Sequence, residues 1–269
     1  MSRAAVSVVP DGDFAVTEPT ASLELGEGDA ARPIVVDRRP GAAPGLFWLG
    51  GFRSDRTGGK ALALDAHGAA RGLAVTRFDY SGHGDSGGRF EDGTISRWLE
   101  ESLAVFDATV GEQILVGSSM GGWLALLVAL ARRTSPGRIR ALVLIAPAAD
   151  FTEDLMWAGL PPEVQRTILA DGVFHVPAGP TQDSYPITRA LIEDGRRHLV
   201  LGAEIPLDCP VTILQGVADT SVPWRHALRL VSRLTRTDVT LTLVPDGDHR
   251  LSRPQDLERL LKAVDAAIG

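Results

Sequence analysis

Cysteine is almost missing from this 269-residue chain: Cys209 stands alone. No intramolecular disulfide can form, and a cysteine-rich metal site is excluded. Chemistry must therefore come from oxygen and nitrogen side chains. Long apolar runs are also missing. The longest, Trp123 to Ala131, falls well short of the ~20 residues that cross a bilayer. There is no basic excess either. Lys and Arg number 27 against 34 Asp and Glu, a net charge of −7, so no electrostatic footprint for nucleic acid or an anionic membrane is present. The opening stretch carries Arg3 but no apolar core of signal-peptide length, and Asp11 and Asp13 interrupt it; a cytoplasmic protein is the expectation. Internal repeats and low-complexity tracts are absent. What is present is an average globular mixture, 44 % hydrophobic and 23 % charged, with 29 glycines that supply tight turns.

Up to about Arg39, short alternating stretches at Ser22 to Leu25 and Ile34 to Asp37 read as edge strands. Beyond them, compact apolar runs closed by Gly or Asp alternate with longer amphipathic stretches, the signature of an α/β fold with a mostly parallel, doubly wound sheet. Six core strands are expected at Leu46 to Leu49, Ala74 to Tyr80, Gln113 to Val116, Ala141 to Ile145, Val211 to Gln215 and Val239 to Val244. Helices are expected at Gly59 to Arg71, Ile95 to Val110, Met120 to Arg132, Trp224 to Leu234 and Pro254 to Ile268. The interval from Asp150 to Asp208 breaks the rhythm. It has no comparable strand run and is punctuated by Pro161-Pro162, Pro177 and Pro180; it reads as an inserted helical segment of the kind that forms lids. Three units follow: a core part over 1–149, an insertion over 150–207 and a second core part over 208–269.

Directly after the third core strand stands Gly117-Ser118-Ser119-Met120-Gly121. It fits G-x-S-x-G with Ser119 central, in the strand-turn-helix context that the pattern requires. A turn this sharp strains the central residue and thrusts its hydroxyl above the strand ends. A frame centred on Ser118 would need glycine at Val116 and Met120. A serine hydroxyl needs a base, and the base needs an orienting acid. Of six histidines, His249 is best placed, in a turn-rich loop after the last strand, where sites in such sheets gather. His67 and His226 fall in expected helices and His175 and His198 in the insertion, while His83 lies before Ser119 in a glycine loop that can line the pocket. Asp219, after the fifth core strand, is the candidate acid; Asp150 is the reserve, and Asp248 is read as a turn former. The developing oxyanion needs donors: the Met120 amide at the helix start, and the Phe52 amide in the loop Gly50-Gly51-Phe52-Arg53.

These residues resemble the α/β-hydrolase superfamily. Gly59-Lys60-Ala61-Leu62, Arg77-Phe78-Asp79-Tyr80-Ser81-Gly82, Ile114 through Trp123, Val222-Pro223-Trp224 and Asp248-His249-Arg250 are similar to its mitochondrial palmitoyl-protein thioesterase branch and to bacterial carboxylesterase relatives. The resemblance runs from about Gly45 to the C-terminus. It implies Ser119 as nucleophile, Asp219 as acid, His249 as base, a helical cap between the core halves, and hydrolysis of acyl esters and thioesters. The chain departs from the pattern at Gly50-Gly51, where many lipases have His-Gly, and its first 40 residues lack a recognisable organellar targeting sequence.

Two rival motifs fail in context. Gly82 to Gly87 matches G-x-G-x-x-G, but charged residues and further glycines prolong the loop before helical periodicity starts near Ile95. Gly59-Lys60 lacks the leading glycine and trailing hydroxyl of a phosphate loop. No metal or organic cofactor is expected. The implied partner is a small-molecule ester or thioester, with neither nucleic acid nor integral membrane association, and no signal specifies an oligomeric state. The insertion's Trp157, Leu160, Phe174, Tyr185 and Ile187, with Trp123 and Trp224, are candidate walls of an apolar acyl pocket; plain core is the ordinary role of such residues. Arg196-Arg197-His198 either meets an acidic leaving group or forms a solvated helix face. Beside the esterase reading stand a serine hydrolase acting on amides or peptides and a non-catalytic binding module, which usually loses a triad member.

Overall fold

All six apolar runs form strands of one sheet. The structure is a computed structural model that describes residues 21–28, 31–135, 137–179 and 183–269; the opening stretch read for a leader, and Pro180, lie outside the described residues. The strands are β1 (Ala21–Leu25), β2 (Arg32–Arg39), β3 (Ala42–Leu49), β4 (Leu73–Phe78), β5 (Gln113–Ser118), β6 (Ile139–Ile145), β10 (Val211–Gly216) and β12 (Val239–Val244), ordered β1-β2-β4-β3-β5-β6-β10-β12. From β4 to β12 every pairing is parallel; β1 and β2 pair antiparallel at one edge.

Helices cover both faces, as parallel strands require. On one side α1 (Gly59–Arg71) and α7 (Pro254–Ile268) bury Ala61, Leu64, Leu260 and Val264 against the sheet. On the other, α2 (Ile95–Asp107), α3 (Met120–Ala131) and α6 (Trp224–Val231) bury Trp98, Phe106, Ala227 and Leu230. α3 is apolar all round and nearly all buried, the pattern of a helix enclosed on every side. Cys209 lies in the same core just before β10, and burial pushes its thiol up to about 11.

Chain direction decides where a site can form. The β3-α1-β4 connection runs one way across the sheet, and β4-α2-β5 returns to the far side of β3. The order therefore reverses between β3 and β5, and ligands of such sheets bind beyond the strand ends at that crevice. Leu49 pairs with Gly117, so the loop after β3 emerges beside Ser119. Gly216 pairs with Val244, so the loops after β10 and β12 emerge together.

The interval between β6 and β10 corrects the helical expectation. It holds a π-helical turn (Thr152–Met156), a 3-10 turn (Trp157–Gly159), α4 (Pro162–Asp171), β7 (Val173–Val176), β8 (Tyr185–Thr188), α5 (Arg189–Gly195), a 3-10 turn (Arg196–His198) and β9 (Ile205–Pro206). β7 and β8 form an antiparallel hairpin with Val173 opposite Thr188. Gly172, left-handed at φ 83, ends α4 and turns the chain into β7. Strands of four residues are too short to register as a periodic run. A small core of Ile168, Ile187 and Ile192 lies beneath them. Two expected helices also end early. α6 stops at Val231 because Leu234–Thr235, here β11, pairs with β9. α2 stops at Asp107, and Val110 is 89 % exposed.

The loops after β3 and β4 are joined by a buried charge cluster. Asp79 accepts the Arg56 amide and guanidinium, both at 2.6 Å, and the Asp85 amide at 3.0 Å. Arg56 also reaches Asp37 at 3.1 Å and Asp85 at 2.8 Å. Removing one partner of a buried pair leaves the other uncompensated. Asp79→Ala is expected to lower the unfolding free energy by about 3–5 kcal/mol in urea denaturation; a loss below ~1 kcal/mol would mean that water replaces the carboxylate.

Candidate active site

Ser119 takes φ 55 and ψ −118, a region that costs a non-glycine residue about 1–3 kcal/mol. Neighbouring backbone holds it there. Its amide donates to Ile145 O at 2.9 Å, and its carbonyl accepts from Gly122 and Ala148 at 2.9 and 3.0 Å. The flanking glycines are required by clearance. A Cβ on Gly117 would sit 2.4 Å from Gly121 O, and one on Gly121 would sit 2.0 Å from Leu49 O. Met120 opens α3, so its amide has no helical acceptor.

His249 reaches this turn from the loop after β12. Its Nε2 lies 3.1 Å from Ser119 Oγ and its Nδ1 lies 2.7 Å from Asp219 Oδ2. A proton on Nδ1, donated to the carboxylate, leaves Nε2 free to accept from the serine hydroxyl. Asp219 is fully buried, and its Oδ1 accepts the Ser221 and Val222 amides, both at 2.8 Å. The two loops are bonded directly, since the Ala218 amide donates to Gly247 O at 3.0 Å. Gly216 makes the approach possible: a Cβ there would lie 2.3 Å from Gly247 O.

Among the described residues, the other histidines are occupied elsewhere or exposed. His226 donates to Ala149 O at 2.7 Å, His67 faces Asp265 at 2.7 Å, His198 meets Ser96 at 2.6 Å, and His175 is exposed. Asp150 uses both carboxylate oxygens on the Val200 and Leu201 amides, each at 2.8 Å. Burial pushes its pKa up while those amides oppose the shift. Asp248 accepts the Leu251 amide at 2.9 Å within its own turn.

The loop after β3 brings Gly51 against the serine turn; a Cβ on it would lie 3.4 Å from Ser119 Cβ. The Phe52 amide follows, and among the described residues it has no hydrogen-bond partner. The Phe52 ring packs on Phe90, Trp98, Phe151 and Tyr185 at centroid distances of 5.1, 6.0, 5.7 and 6.1 Å. The seven candidate wall residues are dispersed, with Phe174, Tyr185 and Ile187 in or against the small core of the inserted segment. Trp123 is fully buried in the main core and donates to His198 O at 3.2 Å; Trp157 and Leu160 share the small core of the inserted segment; Trp224 is half-buried under Arg225 at 4.5 Å. Arg196 pairs with Glu153 at 2.6 Å and Arg197 pairs with Asp194.

Two residues at this site carry no sequence signal as site residues. Gln215, fully buried, donates from Nε2 to Asp219 Oδ2 at 3.2 Å and to Val222 O at 2.9 Å. Lys60 Nζ donates to Arg250 O at 2.5 Å and Ser252 Oγ at 3.2 Å, steadying the His249 loop; burial pulls its pKa down to about 8. Gln215 stands in no motif, and the Gly59–Leu62 stretch gives Lys60 no role at the site, so only the tertiary structure reveals either contact. Among the described residues no group of three His, Cys, Asp or Glu is placed to hold a metal ion, and no helix is long and apolar enough to cross a membrane.

A parallel sheet with a strained serine between strand and helix defines an α/β-hydrolase. The family described as serine aminopeptidase, S33, matches residues 59–177. The palmitoyl-protein thioesterase ABHD10, mitochondrial, of Mus musculus is 36 % identical over 250 residues, 92 % of this chain and 83 % of that protein. The solved structure of mouse ABHD10 superposes with a TM-score of 0.81 at 34 % identity, covering 92 % of this chain and 98 % of that one. A candidate hydrolase from Agrobacterium vitis S4 gives a TM-score of 0.89 at 48 % identity over 93 % of this chain and 99 % of that one. The chain belongs to the α/β-hydrolase family of the ABHD10 type. The cytoplasmic expectation is corrected by the same comparison, because the matched mouse relative is named as a mitochondrial protein.

Gly121→Ala tests the clearance argument. Overpacking against Leu49 O and Gly50 O is expected to cost about 1–3 kcal/mol or more in thermal unfolding and to abolish fluorophosphonate labelling. Wild-type labelling with wild-type melting would show that the turn has slack.

Proposed function

We propose that the protein is a serine hydrolase that cleaves carboxylic esters and acyl thioesters through an acyl-enzyme on Ser119. The observation that carries this reading is the continuous hydrogen-bond chain from Ser119 Oγ through His249, at 3.1 Å, to Asp219, at 2.7 Å, ending on a buried carboxylate. In this reading His249 Nε2 takes the Ser119 proton as Oγ attacks the acyl carbon, and Asp219 stabilises the imidazolium. The Met120 and Phe52 amides receive the oxyanion. Collapse expels the alkoxide or thiolate, which leaves with the proton from His249. Water then enters, gives a proton to His249, attacks the acyl-enzyme, and releases the acid as Ser119 Oγ regains its proton.

The thioester class is supported by the name of the mouse relative, a palmitoyl-protein thioesterase. The segment 150–207 is read as the cap between the core parts 1–149 and 208–269. Supporting this, its Phe151 and Tyr185 pack on the Phe52 ring in the proposed oxyanion loop. Trp123, Trp157, Leu160 and Trp224 lie in separate clusters and are not proposed as one pocket wall.

Ser119→Ala and His249→Ala are expected to lower kcat about 10⁴-fold or more with the fold intact, and Asp219→Asn roughly 10- to 100-fold less severely. A Ser119→Ala variant retaining a tenth of wild-type turnover would refute the assignment. A series of p-nitrophenyl esters of increasing chain length, with one acyl thioester and one matched anilide, tests the substrate class. Ester and thioester turnover is expected, with anilide turnover far lower; the reverse order would favour the aminopeptidase chemistry named by the family match.

A further inference from the structure

The glycine loop Gly82 to Gly87 has no part in the chemistry derived so far, yet it holds an unusually constrained histidine. His83 is 4 % exposed, and both ring nitrogens are engaged. Nδ1 lies 3.2 Å from Ser81 O, which can only accept, so Nδ1 carries the proton. Nε2 lies 3.1 Å from the Arg53 amide, which can only donate, so Nε2 carries the lone pair. These two contacts select one neutral tautomer. Burial lowers the His83 pKa, with the Ser81 carbonyl and the Asp79 carboxylate opposing, which keeps the ring in that form. A protonated ring would set one N–H against another at Arg53.

The ring itself cannot shift. Tyr80, Phe90 and Trp98 surround it at centroid distances of 5.6, 5.2 and 5.2 Å. Below it, Gly84 at φ 49 lies so close to Asp79 that a Cβ would fall 2.1 Å from the carboxylate, and Asp79 is bound to Arg56. His83 is therefore a fixed acceptor on a rigid floor. What it holds is a strained residue: Arg53 has φ 62, left-handed and not glycine. The peptide plane bearing the Arg53 amide adjoins the one bearing the Phe52 amide, and Gly51 before it lies against Ser118 O and Ser119 Cβ. The Ser54 amide donates to Gly51 O at 3.0 Å and closes a turn over Phe52 and Arg53, so an acceptor that holds the Arg53 amide holds the turn that carries the Phe52 amide.

We propose that His83 is a positioning residue for the reaction: as a neutral Nδ1–H imidazole it accepts the Arg53 amide and so aims the Phe52 amide at the oxyanion formed on the substrate of Ser119. This rests on the reading of Ser119 as nucleophile and Phe52 as second donor. It gives the histidine of the glycine loop a task at the reaction centre, exerted through the Arg53 amide. Misplacing one such donor weakens binding of the transition state and leaves the ground state nearly untouched.

Three variants separate the acceptor from the ring. Glutamine places Oε1 near the position of Nε2, whereas asparagine does not reach Arg53, and leucine fills space without an acceptor. His83→Asn and His83→Leu are expected to lower kcat on a p-nitrophenyl ester about 10- to 100-fold with KM within about twofold, and to weaken inhibition by a trifluoromethyl ketone in the same proportion. His83→Gln should recover most of both. If leucine fails to fold, the asparagine and glutamine pair decides alone. A full wild-type kcat in a folded His83→Asn, a KM rise at constant kcat, or a glutamine variant as impaired as asparagine at equal melting temperature would each overturn the inference. Fluorophosphonate labelling of wild-type Ser119 keeps the two readings apart. No label overturns the nucleophile assignment and this inference together; normal label with any of those results overturns this inference alone.

Discussion

The constraint on which the site depends is the approach of two backbones without intervening Cβ atoms. Gly121 at the start of α3 lies against the carbonyls of Leu49 and Gly50, while Gly117 lies against Gly121 itself. That contact pulls the helix into the crevice where the strand order reverses. It forces the intervening residue to φ 55 and lifts Ser119 clear of the sheet. The strain is local and is balanced by ordinary hydrogen bonds to Ile145, Gly122 and Ala148. A hydroxyl on a regular strand or helix would instead lie along a packed face.

The remaining groups approach from loops whose positions are set by strand register. β10 and β12 end level, and their loops are locked to one another by an amide-carbonyl bond and a glycine contact. Asp219 and His249 are therefore held in one frame opposite Ser119. Among the described residues no Lys or Arg pairs with the buried Asp219; apart from His249, its hydrogen bonds come from neutral donors, the Ser221 and Val222 amides and the Gln215 carboxamide. Such an environment holds the charge by dipoles aimed in advance, the kind of preorganisation that needs no solvent rearrangement during a reaction.

The core strands and helices were legible because a parallel sheet buried on both faces writes itself as apolar runs separated by amphipathic stretches. The serine turn was legible because steric demand leaves few residue choices around it. The interval from Asp150 to Asp208 was not. Its hairpin rests on four-residue strands, and β9 and β11 are two-residue pairings between segments far apart in sequence. Gln215 and Lys60 were hidden for a related reason, since each acts through a single hydrogen-bonding atom delivered by tertiary folding. His83 stood within a visible motif, but its neighbours gave no hint of its partner Arg53, thirty residues earlier.

The solitary cysteine has a practical side. Cys209 is 8 % exposed, and its thiol is pushed up to about 11 by burial and by Asp208. That shift keeps the thiol protonated at neutral pH, and alkylating reagents attack the thiolate. The folded protein is thus nearly silent toward maleimides. A cysteine introduced on the exposed face of α4 or on the β7–β8 hairpin would be the one fast-reacting thiol, so a fluorophore or spin label can report on the inserted segment without first removing the native residue.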